Sequence, residues 1–337
     1  MDRERLLTHF LADAGWGTAN RQPLAGDASS RRYERLRHPR YGRAVLMDAP
    51  PAKGEDVRPF RQISAYLRAN AFSVPAELAA DPDNGFLLLE DLGDDRLAEL
   101  MAADPGRQIQ LYDAATDALV ALARLDPPDF LTPYSRTMTD RSGLAWTWYR
   151  KGLAGDHGRI DEANQEMARL IASLSSRETC FIHRDWHVEN MIYLPDRPGV
   201  SNIGILDFQD AQIGFAGYDL ISMSTDARRD VAPDLQQRMV ARYARALGLD
   251  DAAFARDCAI LAVQRNLRIL GIFARLSMHF AKPHYVDFIP RVWGHLLANL
   301  AHPDLVQLRA IVLSDLPEPG ATELQRLKAL CGTVPEL

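Results

Sequence analysis

Three oxygen-bearing side chains fall close together in the sequence, in an order suited to phosphoryl transfer. Asp185 and Asn190 lie in the string His183-Arg184-Asp185-Trp186-His187-Val188-Glu189-Asn190, and Asp207 follows in Leu206-Asp207-Phe208. Moving a phosphoryl group onto a hydroxyl needs a carboxylate beside the acceptor and oxygen ligands for the Mg²⁺ that bridges the ATP phosphates. Mg²⁺ takes carboxylate and amide oxygens and retains waters. Asp185 is therefore assigned to the acceptor hydroxyl, as catalytic residue, and Asn190 and Asp207 to the metal. The non-chemical alternative makes Asp185 and Asn190 turn caps and Asp207 an ordinary strand-end acid. His183 is read as structural, packing and hydrogen-bonding to hold the loop.

The elements that must position these groups form a β island in a helical region. Two short apolar strands, around NMIYL and IGILDF, flank a PDRPG turn, and polar residues at their ends would face a common cleft. Upstream, RRYERLRH and RAVLMDAP read as two strands joined around HPRYG. PFRQISAYLRANAF spaces Phe60, Ile63, Tyr66 and Leu67 as a helix, and AELAADPDNGFLLLEDLG reads as a hairpin ending in FLLLE. From Arg96 onward the period becomes helical in QIQLYDAATDALVALARL and EANQEMARLIASL, and AVQRNLRILGIFARLSMHF is the most regular amphipathic stretch. The expected class is α+β, with a strand-rich N-terminal lobe over residues 1–93 and a mainly helical lobe over 94–337.

Composition excludes several other roles. Of 337 residues, 47% are hydrophobic and 25% charged, which is the balance of a globular protein. The formal net charge of -6 gives no concentrated basic surface for a polyanion, so no nucleic-acid partner is expected. No apolar run is long enough for a membrane span, and the segment MDRERLLTHFLADAG reads as a charged amphipathic helix rather than a signal sequence. A cytoplasmic location is expected. Cys180, Cys258 and Cys331 form no CxxC pair and are read as incidental thiols, without a zinc site.

The first string fits the H-R-D-x-x-x-x-N catalytic loop of kinases, with Leu206-Asp207-Phe208 at the end of the next strand. More widely, LAGDASSRRYERL, VLMDAPP, FLLLEDLGDDRL, FIHRDWHVENMIYL, GILDFQDAQIGFAGYDLISM, RNLRILGIFARL and DFIPRV span nearly the whole chain. In these stretches the sequence resembles the aminoglycoside phosphotransferase/choline kinase superfamily. Within it, DAPP, LDFQDA and LGIFARL are similar to the N-acetylmuramate/N-acetylglucosamine anomeric kinases of bacterial cell-wall recycling. The resemblance implies a protein-kinase-like bilobal fold, ATP and Mg²⁺, and transfer to the anomeric hydroxyl of an amino sugar, giving the sugar 1-phosphate. It makes Asp185 the base toward that hydroxyl.

The sequence departs from the kinase pattern in three places. A GxGxxG loop is absent, and Gly26-Asp27-Ala28-Ser29-Ser30-Arg31-Arg32-Tyr33 holds its place. Ser29, Ser30, Arg31 and Arg32 are the expected phosphate contacts, the alternative being an exposed polar hairpin. The third-strand lysine position falls at Met47. Arg31 or Arg32 is expected to supply the missing charge, with Lys53 or Arg58 as substitutes. Gln209 replaces the glycine after Phe208, which implies a fixed metal loop. Backbone groups at Glu90 and Leu92, in the expected hinge Glu90-Asp91-Leu92, would hold the adenine edge, with Leu46 and Ile205 as apolar walls.

For the acceptor, Trp186, His187, Glu189, Gln209 and Asp210 offer mixed polar groups rather than the carboxylate cluster an aminoglycoside requires. Trp146, Trp148 and Tyr149 are read as core or sugar face. Arg265, Asn266 and Arg268 would meet a lactyl carboxylate or form a solvated basic face. Three functions remain open: an anomeric sugar kinase, a phosphotransferase acting on an aminoglycoside, choline or another amino alcohol, and a non-catalytic nucleotide-binding pseudokinase. The partner expected for the first is a small-molecule amino sugar, with no obligate protein partner.

Overall fold

The computed structural model describes residues 2–24 and 30–335. The chain divides into two compact units, Met1–Ala118 with Val188–Ala211, and Leu119–His187 with Gln212–Leu337.

The first unit is built on a five-stranded antiparallel sheet. Its strands are β1 (Asn20–Pro23), β2 (Arg32–His38), β3 (Gly42–Asp48), β4 (Glu77–Asp81) and β5 (Phe86–Glu90), in the order β1-β2-β3-β5-β4. The predicted hairpins and the helix Arg58–Ala69 are all present. Side chains alternate across a strand. On one face Leu36, Ala44, Leu46, Phe86 and Leu88 pack on Leu7, Phe10 and Leu11 of the helix Arg3–Asp13. Leu46 is therefore committed to that core and is not the apolar wall expected of it. Its half-exposed neighbour Val45 holds the opposite face of the strand. In the same unit, Met191–Tyr193 and Ile203–Ile205 form the expected antiparallel hairpin. Gly204 permits close packing there, since a Cβ would lie 3.0 Å from Leu92 Cδ1.

The second unit is helical around one long helix, Asp251–Met278. The sequence suggested an amphipathic element, but residues 257–271 are buried without interruption, so the helix is the centre of its unit and is covered all round. At Gly271 a Cβ would overlap the backbone carbonyl of Leu144, so only glycine lets the two segments approach. Trp146, Trp148 and Tyr149 belong to a π-helical turn, Ala145–Arg150, and are core. Trp146 donates to Asp315 Oδ2 at 2.5 Å and Tyr149 to the Pro317 carbonyl at 2.7 Å. A two-stranded ribbon, Glu178–Ile182 with Gln212–Phe215, leads into the His183 segment.

Candidate active site

In the second unit, strand Glu178–Ile182 leads into His183, and the chain then turns sharply through Arg184, whose φ is +76°. A long side chain in the left-handed region costs on the order of 1–3 kcal/mol and persists only where its surroundings fix it. Asp219 does the fixing. Its carboxylate is buried and accepts the N–H of His183 at 2.5 Å and of Arg184 at 2.8 Å. Gly217, at φ +94°, opens the helix Tyr218–Ser224 that carries Asp219, and a Cβ there would press on Phe254 at 3.0 Å. The guanidinium of Arg184 lies 5.3 Å from the ring of Tyr134. Asp219 was missed by sequence reading, although an acid directly behind a glycine-led helix start was a usable signal.

The partly exposed Asp185 follows. Its N–H donates to His183 Nδ1 at 3.3 Å, and its carbonyl accepts from His187 N at 3.1 Å. His183 thus holds the loop, as expected. Burial alone would raise the Asp185 pKa, but Arg268 above all, with Arg184 and Arg265, holds it well below the ordinary carboxylate range. Trp186 is buried and meets His183 edge-on, with ring centres 5.7 Å apart. His187 is also buried; burial first, then Arg228, pushes its pKa well down and keeps the imidazole neutral. Arg265, Asn266 and Arg268 are buried on the central helix, which rules out the solvated basic face.

The metal candidates belong to the first unit. Leu206 N–H donates to the Asn190 carbonyl at 2.9 Å, tying the residue before Asp207 to Asn190 at the end of the hairpin. Asp207 has φ +59°, which an aspartate tolerates better than most residues. Gln209 Nε2 donates to Asp207 Oδ1 at 2.7 Å, so the residue replacing glycine orients the carboxylate. Phe208 is fully buried against Phe60, with ring centres 4.6 Å apart. An amide and a carboxylate are hard oxygen donors, and Mg²⁺ typically takes one or two protein ligands and completes its shell with phosphate and water. No group of three or more His, Cys, Asp or Glu side chains is placed to hold a metal ion among the described residues. Glu189 is half-buried and Asp210 exposed.

Of the expected phosphate contacts, Ser29 lies outside the described residues, as do Gly26, Asp27 and Ala28. Ser30 N–H donates to Glu55 Oε1 at 3.1 Å and Arg31 Nε to Glu55 Oε2 at 2.8 Å. Arg32 Nε donates to Asp48 Oδ2 at 3.1 Å, where Arg3 Nε meets the other oxygen at 2.9 Å. Met47 is buried between Tyr33 and Leu87 in the sheet register. Glu90 receives Arg197 Nη2 at 2.6 Å, and its backbone N–H pairs with the Ala76 carbonyl at 2.8 Å. Leu92 is half-buried beside Gly93, whose φ is +98°.

A family model described as the phosphotransferase enzyme family matches residues 20–258. The chain is 35% identical to an N-acetylmuramate/N-acetylglucosamine kinase of Caulobacter vibrioides, over 92% of this chain and 95% of that protein. It is 33% identical to one of Pseudomonas aeruginosa, over 92% and 93%. Among solved structures it resembles a Plasmodium vivax ethanolamine kinase, with TM-score 0.60, 13% identity, and 86% of this chain and 83% of that one covered. This last likeness carries the protein-kinase-like fold. No helix among the described residues is long and apolar enough to cross a membrane.

Proposed function

The chain belongs to the phosphotransferase enzyme family, and we propose that it is an ATP-dependent kinase for the anomeric hydroxyl of N-acetylmuramate and N-acetylglucosamine, releasing the sugar 1-phosphate for peptidoglycan recycling. The observation that carries the acceptor choice is electrostatic. Around Asp185 the buried guanidinium groups of Arg184, Arg265 and Arg268 outnumber the neighbouring buried carboxylate of Asp219, whose own pKa is raised. A cationic acceptor such as choline or an aminoglycoside would meet these at an energetic cost, whereas a neutral or anionic sugar would not.

In this reading Asp185 stays ionised and orients the anomeric hydroxyl, accepting its proton as that oxygen bonds to the γ-phosphorus and the bond from phosphorus to the bridging oxygen of ADP breaks. An anomeric hydroxyl is more acidic than an ordinary alcohol and the transition state is loose, so a weak base suffices. Asn190 and Asp207 would hold Mg²⁺, whose charge offsets that of the ATP phosphates. Ser29, Ser30, Arg31 and Arg32 are proposed for the phosphates, which requires Arg31 and Arg32 to exchange a carboxylate partner for phosphate oxygens. The backbones of Glu90 and Leu92 are proposed for adenine, and Trp186, His187, Glu189, Gln209 and Asp210 for the sugar side. Nucleotide binding is assigned to residues 1–93, catalysis and acceptor binding to 94–337, and the location to the cytoplasm.

ATP consumption with Mg²⁺ and, in turn, N-acetylmuramate, N-acetylglucosamine, choline and kanamycin tests the proposal. Turnover with the two sugars alone is expected. Turnover with choline or kanamycin in preference to the sugars would replace it with an amino-alcohol phosphotransferase, and none with any acceptor would favour a non-catalytic protein.

A further inference from the structure

The central helix carries Arg265, Asn266 and Arg268 into the interior of the second unit, with 3%, 1% and 6% of their surfaces exposed. Buried polar groups are almost always matched, and those that are not call for an explanation such as a functional role, a bound ion or water. The guanidinium of Arg265 donates from Nη2 to Ser222 Oγ at 2.8 Å. Its Nε and Nη1 are buried without a hydrogen-bond partner among the described residues. Arg268 donates from Nη1 to Tyr218 Oη at 3.4 Å, and its Nε is likewise unmatched. Both side-chain polar atoms of Asn266 are unmatched as well.

The nearby acids do not saturate this positive group. Asp219 spends both oxygens on the backbone of His183 and Arg184. Asp226 faces Arg228 and Arg229, each at 3.7 Å. The partners of Arg268 and Arg265, Tyr218 and Ser222, lie on the short helix Tyr218–Ser224 that also carries Asp219, which holds the peptides just before Asp185. The open donors therefore belong to the surroundings of the proposed base, on which both arginines also act electrostatically. Two guanidinium groups with buried donors to spare fit one chemistry well, a carboxylate arriving with the acceptor.

We propose that Arg265, supported by Arg268, binds a carboxylate of the acceptor and makes the enzyme prefer an anionic sugar over a neutral one of the same ring. The inference rests on the sugar kinase reading: N-acetylmuramate carries a carboxylate on its lactyl ether, and N-acetylglucosamine has none.

The test compares kcat/KM for N-acetylmuramate, its methyl ester and N-acetylglucosamine, in the unaltered protein and in R265M and R265K. The unaltered enzyme is expected to favour the acid over the ester by at least about 30-fold, the scale for removing one member of a buried charged pair. R265M should abolish that preference and R265K restore part of it. Equal use of acid and ester by the unaltered enzyme would overturn the inference and leave the sugar kinase reading intact, and this comparison decides even if R265M does not fold. A common loss on all three acceptors in R265M, with the preference unchanged, would also overturn it, making Arg265 a positioning residue for Asp185. Absence of turnover with every sugar by the unaltered protein would overturn the sugar kinase reading, and the inference with it.

Discussion

Asp219 holds Arg184 in a left-handed backbone conformation by accepting its N–H at 2.8 Å, while its second oxygen takes the preceding N–H at 2.5 Å. One buried carboxylate thus sets two peptides immediately before Asp185. A hydrogen bond to a charged group contributes about 1.5–3 kcal/mol, so losing both should release the loop without dissolving the unit. Asp219→Ala is expected to lower kcat by about 100-fold, in line with misplacing a catalytic group by about 1 Å. Steady-state kinetics with a separate ATP titration checks this, because a merely structural role would weaken nucleotide binding and turnover together.

The same carboxylate gives the pH dependence a particular sign. Burial pushes Asp219 up to about 6, against the opposing pull of His183 and the two backbone N–H groups. Its pKa in the fold lies above the roughly 3.9 of an unfolded aspartate, so its contribution to stability is present at low pH and lost as pH rises through about 6. Loop positioning runs the other way, since an ionised carboxylate is the better acceptor. Turnover should therefore rise as pH passes about 6 from below, with no matching gain in Tm. Asp185, held far lower by its arginines, does not titrate in this window. Loss of the limb in Asp219→Asn is the expected result, and its persistence there would assign it to another group.

Much of this was legible in the sequence. The two N-terminal hairpins and the Met191–Ile205 hairpin follow from short-range patterns that local physics enforces, and the spacing of Asp185, Asn190 and Asp207 singled out the proposed site. What escaped was set by contacts far apart in the chain. The core role of Leu46 depends on a helix some forty residues earlier in the chain. The burial of Arg265 and Arg268 depends on how many elements surround one helix, which periodicity cannot report when a polar residue is buried rather than exposed. Asp219 bonds to backbone 35 and 36 residues away and leaves no mark in the pattern around His183.

Phe60 packs on Phe208 with ring centres 4.6 Å apart and anchors the residue that follows Asp207, the proposed metal carboxylate. Phe60→Ala removes that support. Truncating a buried phenylalanine costs about 3–5 kcal/mol, so a lower Tm is expected. The loosened Asp207 should also raise the Mg²⁺ concentration needed for half-maximal turnover by roughly 10-fold, the lower end of losses seen when a metal ligand loses its support. A Mg²⁺ titration of turnover below the new Tm checks this; an unchanged Mg²⁺ requirement would separate Phe60 from the metal loop.

Asp185→Asn keeps the shape of the side chain and removes its basicity. Turnover should fall by about 10²–10⁴-fold, the usual contribution of a positioned base, while ATP affinity is retained. Equilibrium nucleotide binding alongside kcat provides the check. Near-normal turnover in this variant would remove Asp185 from the chemistry.

The central claim is that phosphate is delivered to the anomeric oxygen of an amino sugar. Proton-coupled ³¹P NMR of the product formed from ATP and N-acetylmuramate tests it most directly, because phosphorus on C1 couples to one ring proton and phosphorus on the primary hydroxyl couples to two. A phosphate doublet that collapses on H1 decoupling is the expected result. A triplet from a phosphorylated primary hydroxyl, or no sugar phosphate at all, would contradict the account.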